Sequence, residues 1–225
     1  MKKLSILLSA AIISINMLAQ KTRIGVNAGI SIANYNAEFG GESDNGNSKI
    51  GFTLGAVADI PMGDHFSIQP GLNFVQKGTK DEQTIGNITE KVSLTTNHLE
   101  VPVNFLYNTN SGNGNFFIGA GPSFAFGISG KWKYDDGTDQ LDESVNFGDT
   151  DEDDLKGFDF GANILAGYTL ANGLTFSVNY NAGLSNLYPG AAAMPASNPI
   201  ILVLRWAGCL MAKRRKSNTI YFLCC

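Results

Sequence analysis

The 225-residue chain carries 16 Lys and Arg against 20 Asp and Glu, a net charge of −4, with 16% charged residues and 26 glycines. No basic face is evident, which argues against a nucleic-acid partner, and beyond the first twenty residues no apolar run reaches the roughly 20 residues of a membrane-spanning helix. The three cysteines, Cys209, Cys224 and Cys225, all fall close to the end, and an odd count confined there argues against a disulfide framework in the body.

The chain opens Met1-Lys2-Lys3, runs apolar from Leu4 to Leu18 and reaches Ala19-Gln20. A short basic start, an apolar stretch and a small residue before a polar segment predict a signal peptide over residues 1–19, and therefore export. What remains is within reach of one β-rich domain, expected over residues 20–187.

From residue 23 onward the dominant signal is alternation, which in a strand sends successive side chains to opposite faces. The first segment sets Ile24, Val26, Ala28, Ile30 and Ile32 against Gly25, Asn27, Gly29 and Ser31. The second sets Ile50, Phe52, Leu54, Ala56, Ala58 and Ile60 against Gly51, Thr53, Gly55, Val57 and Asp59. In the third, Phe66, Ile68, Pro70, Leu72 and Phe74 oppose Ser67, Gln69, Gly71, Asn73 and Lys77. In the fourth, Leu99, Val101, Val103, Phe105 and Tyr107 oppose His98, Glu100, Pro102 and Asn104. The fifth places Phe116, Ile118, Ala120, Phe124, Phe126 and Ile128 against Gly119, Gly121, Ser123, Ala125 and Gly127. A sixth runs from Phe158 to Leu170 and a seventh from Leu174 to Leu184 in the same manner.

These strands approach the roughly 9–11 residues that cross a bilayer at a tilt, where soluble strands usually have about 5–6. Short turns (Pro61-Met62-Gly63-Asp64, residues 108–114, Ala171-Asn172-Gly173) alternate with long polar segments at 33–49, 78–97 and 130–157. Transmembrane barrels combine short periplasmic turns with long extracellular loops. One face is bulky and apolar, the other small and polar, which suits lipid outside and the crowded lumen of about eight strands inside. The fold class is therefore all-β, an eight-stranded antiparallel up-and-down transmembrane β-barrel, in the cell outer membrane. The competing reading, a soluble periplasmic lipocalin-like barrel holding a small apolar ligand, needs the faces reversed.

Several segments resemble a known family. Arg23-Ile24-Gly25-Val26-Asn27-Ala28-Gly29, Phe66-Ser67-Ile68-Gln69-Pro70-Gly71-Leu72, Val75-Gln76-Lys77-Gly78 and Leu99-Glu100-Val101-Pro102-Val103 look like the PorT-type outer-membrane β-barrel domain. Gly119-Ala120-Gly121-Pro122, Phe158-Asp159-Phe160-Gly161 and Tyr180-Asn181-Ala182-Gly183-Leu184-Ser185-Asn186 agree, so the likeness covers residues 21–187. It implies an integral outer-membrane barrel of Gram-negative bacteria and no particular biochemical activity. The expected partners are outer-membrane lipid, barrel-assembly and periplasmic chaperone machinery, and an extracellular partner met through the loops.

Candidate chemistry is sparse. Asp149, Asp151, Glu152, Asp153 and Asp154 form an acidic cluster in the long loop. Alternate aspartates can bind Ca²⁺, but Asp154 stands where an EF-hand needs glycine and Phe160 where it needs glutamate, so a solvated loop is expected. His98 and Glu100 share a face with Lys77, Gln69, Asn73 and Asn104 and read as a lumen network without a nucleophile. Gly119-Ala120-Gly121 lies inside a strand with no helix start behind it, which removes the logic of a phosphate loop. Asn87-Ile88-Thr89 matches a glycosylation acceptor that carries little meaning in a bacterial protein. No catalytic, cofactor-binding or metal-binding residue is therefore assigned, no cofactor is expected, and the chain is read as a non-enzyme.

The tail, residues 188–225, breaks the pattern. The run Ile200-Ile201-Leu202-Val203-Leu204-Arg205-Trp206 does not alternate, and a basic stretch Lys213-Arg214-Arg215-Lys216 follows. Reading the codons of residues 206–213 one nucleotide upstream forces Gly at the junctions of Trp206 with Ala207 and of Met211 with Ala212, and allows Trp, a Leu, Met or Val, then Phe between them. The tail is thus compatible with a frameshift. Without a closing strand the chain is expected to assemble poorly, unless residues 200–210 serve as a surrogate eighth strand.

Overall fold

The computed structural model describes residues 22–33, 36–39, 42–45, 47–85, 88–109, 114–150, 152–187 and 200–208. The signal peptide over 1–19, Asp151, Asn87 and the cysteines lie outside the described residues. In chain order the strands are β1 (Arg23–Ala33), β2 (Asn36–Phe39), β3 (Glu42–Asn45), β4 (Asn47–Pro61), β5 (Phe66–Ile85), β6 (Ile88–Asn108), β7 (Gly114–Asp135), β8 (Gln140–Ser144), β9 (Phe158–Leu170), β10 (Leu174–Gly183) and β11 (Ile200–Gly208).

Eight of these close an antiparallel ring: β1, β4, β5, β6, β7, β9, β10 and β11, with β11 paired to both β10 and β1. β2 and β3 pair with each other as a separate hairpin, and β8 adds to the upper part of β7. Closure leaves no lipid-facing edge, which is the condition for β-structure in a bilayer. The ring is closed by β11, Ile200–Gly208, with Ile24 opposite Gly208 and Ile32 opposite Ile200.

The alternation resolves into faces as the residues dictate. Ile24, Val26, Ile30, Phe52, Leu54, Phe105, Phe116, Ile118, Ile164, Phe176 and Val178 are exposed outward. Asn27, Ser31, Thr53, Ser67, Gln69, Lys77, His98, Glu100, Asn104, Ser123, Asp159, Asn163, Thr175, Ser177 and Asn181 are buried inward. Apolar outside and polar inside is the reverse of a soluble barrel built around an apolar ligand, and that reading falls.

Periplasmic turns are tight where the sequence supplies turn residues. At Ala171-Asn172-Gly173, Gly173 takes φ 85°, its N–H donates to Leu170 O at 2.9 Å, and Asn172 Oδ1 accepts from Leu174 N at 3.1 Å. A β-branched residue would strain that conformation, whereas glycine adopts it freely.

On the other side the structure corrects the sequence reading. Residues 78–85 and 88–97, expected within a polar loop, continue as paired strand, so that β5 and β6 run for 20 and 21 residues, and their neighbour β7 runs for 22. Register from Phe66↔Tyr107 to Ile85↔Ile88 is unbroken in parity. Above the membrane both faces meet water, so the apolar period disappears while backbone pairing goes on, favoured by Thr84, Thr89, Val92, Thr95 and Thr96. Part of the 130–157 segment is likewise strand, through the top of β7 to Asp135 and β8 over Gln140–Ser144. The result is a lopsided rim with one tall wall.

Candidate functional site

The lumen buries a group of ionisable side chains drawn from three strands, β5, β6 and β9. Lys77 on β5 is the largest fully buried side chain, 2% exposed. Its Nζ lies 3.7 Å from Glu100 Oε2 on β6 and 3.8 Å from Asp159 Oδ2 on β9. Asp159 also accepts from Ser185 Oγ at 2.7 Å. Around this trio Asn181 Nδ2 donates to Ser123 Oγ at 2.5 Å, Asn163 Nδ2 to Asn104 Oδ1 at 3.3 Å, and Asn27 Nδ2 to Asn73 Oδ1 at 3.0 Å. Opposite charges with shared hydrogen-bonding neighbours are the arrangement by which a narrow interior tolerates ions at all.

His98 and Glu100 were expected to share a face and do, yet each has a separate environment. His98 Nε2 sits 3.0 Å from Thr96 Oγ1, and its ring meets the edge of Phe147 with centroids 6.0 Å apart. Glu100 belongs to Lys77. Neither faces an open cleft, and acid–base chemistry needs a substrate within hydrogen-bond reach.

Two small cavities interrupt the packing. One, about 30 Å³, is lined by Gln69, Asn73, Glu100, Asn104 and Asn163; the other, about 40 Å³, lies towards the periplasmic end between Arg23, Asp59, Gln69, Asn115 and Phe117. Each has room for a few waters at most. Leu106, Phe117 and Leu165 pack as an apolar plug between the two, Leu106 and Phe117 lining the second cavity and Leu165 the first, and Arg23 pairs with Asp59 at 3.4 Å on the wall of the second.

At the extracellular mouth the loop between β8 and β9 folds back as a lid. Leu94, Val145, Leu155 and Leu187 form a buried cluster flanked by Trp132 and Phe147. Backbone bonds fasten it: Val145 N to Gly130 O at 3.0 Å, Gly127 N to Gly157 O at 2.9 Å, and Lys156 N to Leu187 O at 2.7 Å. Asp153 and Asp154 of the acidic cluster serve this loop. Asp153 Oδ2 accepts from Thr150 N at 2.9 Å and Thr150 Oγ1 at 2.6 Å, and Asp154 Oδ2 accepts from Asn146 N at 2.8 Å. The donors from Thr150 hold the Asp153 carboxyl below the usual carboxylate value. Among the described residues no three His, Cys, Asp or Glu side chains are placed to hold a metal ion.

Sequence reasoning found Lys77, Glu100, Gln69, Asn73, Asn104 and His98 but missed Asp159, Asn163 and Asn181 as lumen residues. The signal was present, since each lies between outward apolar neighbours: Phe158 and Phe160, Ala162 and Ile164, Tyr180 and Ala182. The lid was not legible, because Val145, Phe147, Leu155 and Leu187 carry no periodicity.

Gly119-Ala120-Gly121 lies mid-strand in β7, as expected. A Cβ at Gly121 would collide with Val103 O and come within 2.8 Å of Asn104 Cα. These glycines permit close approach of β6 and β7.

Among solved structures the chain is similar to Ail, the attachment invasion locus protein of Yersinia pestis, at 11% identity over 82% of this chain and 97% of that one, TM-score 0.41. It is similar to Neisserial surface protein A at 12% identity over 81% and 94%, TM-score 0.43. The translocator domain of the autotransporter NalP from Neisseria meningitidis is similar at 9% identity over 90% and 97%, TM-score 0.33. Comparison with curated protein sequences gives no match. The family model described as outer membrane protein beta-barrel domain matches residues 18–188. A closed barrel with a lipid-facing apolar exterior, a packed polar lumen and that match agree: the chain belongs to the outer membrane protein beta-barrel domain family and resides in the outer membrane.

Proposed function

We propose that this protein is a sealed, non-catalytic barrel of the PorT-type branch that serves the cell envelope as a structural element and surface-interaction platform. The observation that carries this reading is the contrast between a lumen closed three times over and a wall raised on one side. The lumen is stopped by the Leu106–Phe117–Leu165 plug, the Lys77–Glu100–Asp159 trio and the lid. Meanwhile β5, β6 and β7 extend about twice the length a crossing needs. Its partners on this reading are outer-membrane lipid, the barrel-assembly and periplasmic chaperone machinery that inserts it, and an extracellular molecule met by the loops.

The test is conductance together with surface accessibility. Refolded protein in planar bilayers is expected to pass no stable single-channel current, and protease added to intact cells is expected to cut only at the loops. Reproducible openings would overturn the sealed reading. Hydrolysis of lipid esters by the purified protein would overturn the non-catalytic one.

A further inference from the structure

The outward face of the tall wall sorts its charges by height. Just above the lipid-facing belt, which ends at Phe74, Leu99 and Ile128, comes a neutral row: Gln76 Nε2 donates to Asn97 Oδ1 at 3.2 Å, and Asn97 Nδ2 to Ser129 Oγ at 3.0 Å. The next row in register is Gly78, Thr95, Lys131 and Ser144, and the one above it Lys80, Ser93, Lys133 and Asp142. Lys49, from the end of β4, crosses Gly78 to reach Thr95 Oγ1 at 2.6 Å and Ser93 Oγ at 3.5 Å. Lys133 and Lys80 are the charges whose fields bear on it. The row above, Glu82, Lys91, Asp135 and Gln140, carries two carboxylates against one lysine.

Four lysines therefore gather in two rows against one carboxylate. Asp142 is held 2.8 Å from Lys131 Nζ and 3.6 Å from Lys133 Nζ, while Lys49 and Lys80 have no ion pair among the described residues. In a chain of net charge −4 this is a marked local excess. The bulge at Asn97/His98 contributes to it. It turns Ser129, and with it Lys131 and Lys133, onto the same face as Ile128, so that β7 meets β6 with lysines beside Thr95 and Ser93.

Height identifies what this face meets. Lys131 lies three residues beyond Ile128, about 10 Å along the strand and less along the barrel axis. That is the headgroup layer flanking the hydrocarbon core. Lysine stems can lie on the apolar belt while their ammonium groups reach outward.

We propose that Lys49, Lys80, Lys131 and Lys133 form a docking site for the phosphate groups of the outer-leaflet lipid. Thr95 and Ser93 hold Lys49 in place, and the net-negative row above limits the site to headgroup depth. The ligand class is a phosphorylated glycolipid headgroup, held by several point charges.

The test uses full-length refolded protein in phosphatidylcholine vesicles doped with bisphosphorylated lipid A, or with the same lipid dephosphorylated. Lipid retained through mild detergent extraction is then counted by native mass spectrometry. The wild type is expected to retain the phosphorylated form preferentially, and less so as salt is raised. Lys49→Gln/Lys80→Gln is expected to weaken retention by about fivefold per lysine, while Lys91→Gln leaves it unchanged. Equal retention of both lipids by the wild type, a reading that needs no variant, would overturn the proposal. So would an undiminished preference in a Lys49→Gln/Lys80→Gln protein that keeps its heat-modifiable gel shift. Binding of a soluble sulfated polysaccharide with no lipid preference would assign the face to a different partner and equally refute it.

Discussion

Replacing Lys77 by methionine keeps most of the length of the side chain and removes its charge. Glu100 and Asp159 then remain buried, 2% and 5% exposed, without the cation that lies 3.7 and 3.8 Å from them. Asp159 keeps the Ser185 hydroxyl at 2.7 Å; Glu100 loses its only charged partner. Removing one member of a buried pair costs about 3–5 kcal/mol, because an uncompensated charge stays behind. The double variant Lys77→Met/Glu100→Gln neutralises the carboxylate left without a charged partner, and a recovery of about 1–3 kcal/mol is expected. Urea unfolding in lipid vesicles, followed by tryptophan fluorescence and checked by heat-modifiable migration, reads both. High salt is expected to leave the Lys77→Met cost nearly unchanged, since buried pairs are weakly screened. A cost below about 1 kcal/mol, the range of exposed pairs, or strict additivity in the double variant would refute the argument that this trio holds the lumen together.

Gly121→Ala is expected to destabilise the barrel by about 1–3 kcal/mol, because the new methyl meets Val103 O and Asn104 Cα, both backbone; the fraction of heat-modifiable protein after refolding checks it. Among the described residues Ser31 Oγ and Ser177 Oγ are buried without a hydrogen-bond partner, and register sets Ser31 opposite Ile201 and Ser177 opposite Val203. Val203→Thr with Ile201→Asn is therefore expected to raise stability by about 1 kcal/mol per bond formed, measured in the same urea titration. The Asp153 carboxyl is depressed in the folded loop, so its contribution is present above the ordinary carboxylate range near pH 4 and fades as pH falls through the lower folded value. The protection factor of the Thr150 amide, its exchange rate relative to the intrinsic rate at each pH, should fall on acidification as the bond to Asp153 Oδ2 is lost, and Asp153→Asn should remove that pH dependence.

How far the sequence could be read depends on what each residue faces. Inside the bilayer the two sides of a strand meet different media, so Ile24 through Ile32 or Leu99 through Tyr107 print the fold directly into a period of two. The same contrast exposed most of the lumen, Lys77 and Glu100 included. Outside the bilayer the contrast vanishes, and the upper halves of β5, β6 and β7 read as loop although their backbones pair without interruption. The lid went unread for another reason: Leu94, Val145, Leu155 and Leu187 meet only through tertiary folding. The closing strand was legible only as an anomaly. Its backbone fits between β10 and β1, while Ile201 and Val203 occupy rows where the neighbouring strands carry Ser31, Gly29, Asn179 and Ser177. Sequencing the locus checks the frameshift reading; an upstream frame without an alternating strand ending in an aromatic residue would end it.

Ring closure also sets a timetable. The bonds that seal the barrel join β1, the first strand made, to β11, the last, with Ile24 opposite Gly208. Contacts between such distant segments form late, because loop closure must be paid in entropy before they return anything. Until then the first strand waits with one side unsatisfied, in an environment where it can pair with the wrong chain. For this fold, assembly is a matter of custody: something must hold the opening strand until the final one arrives.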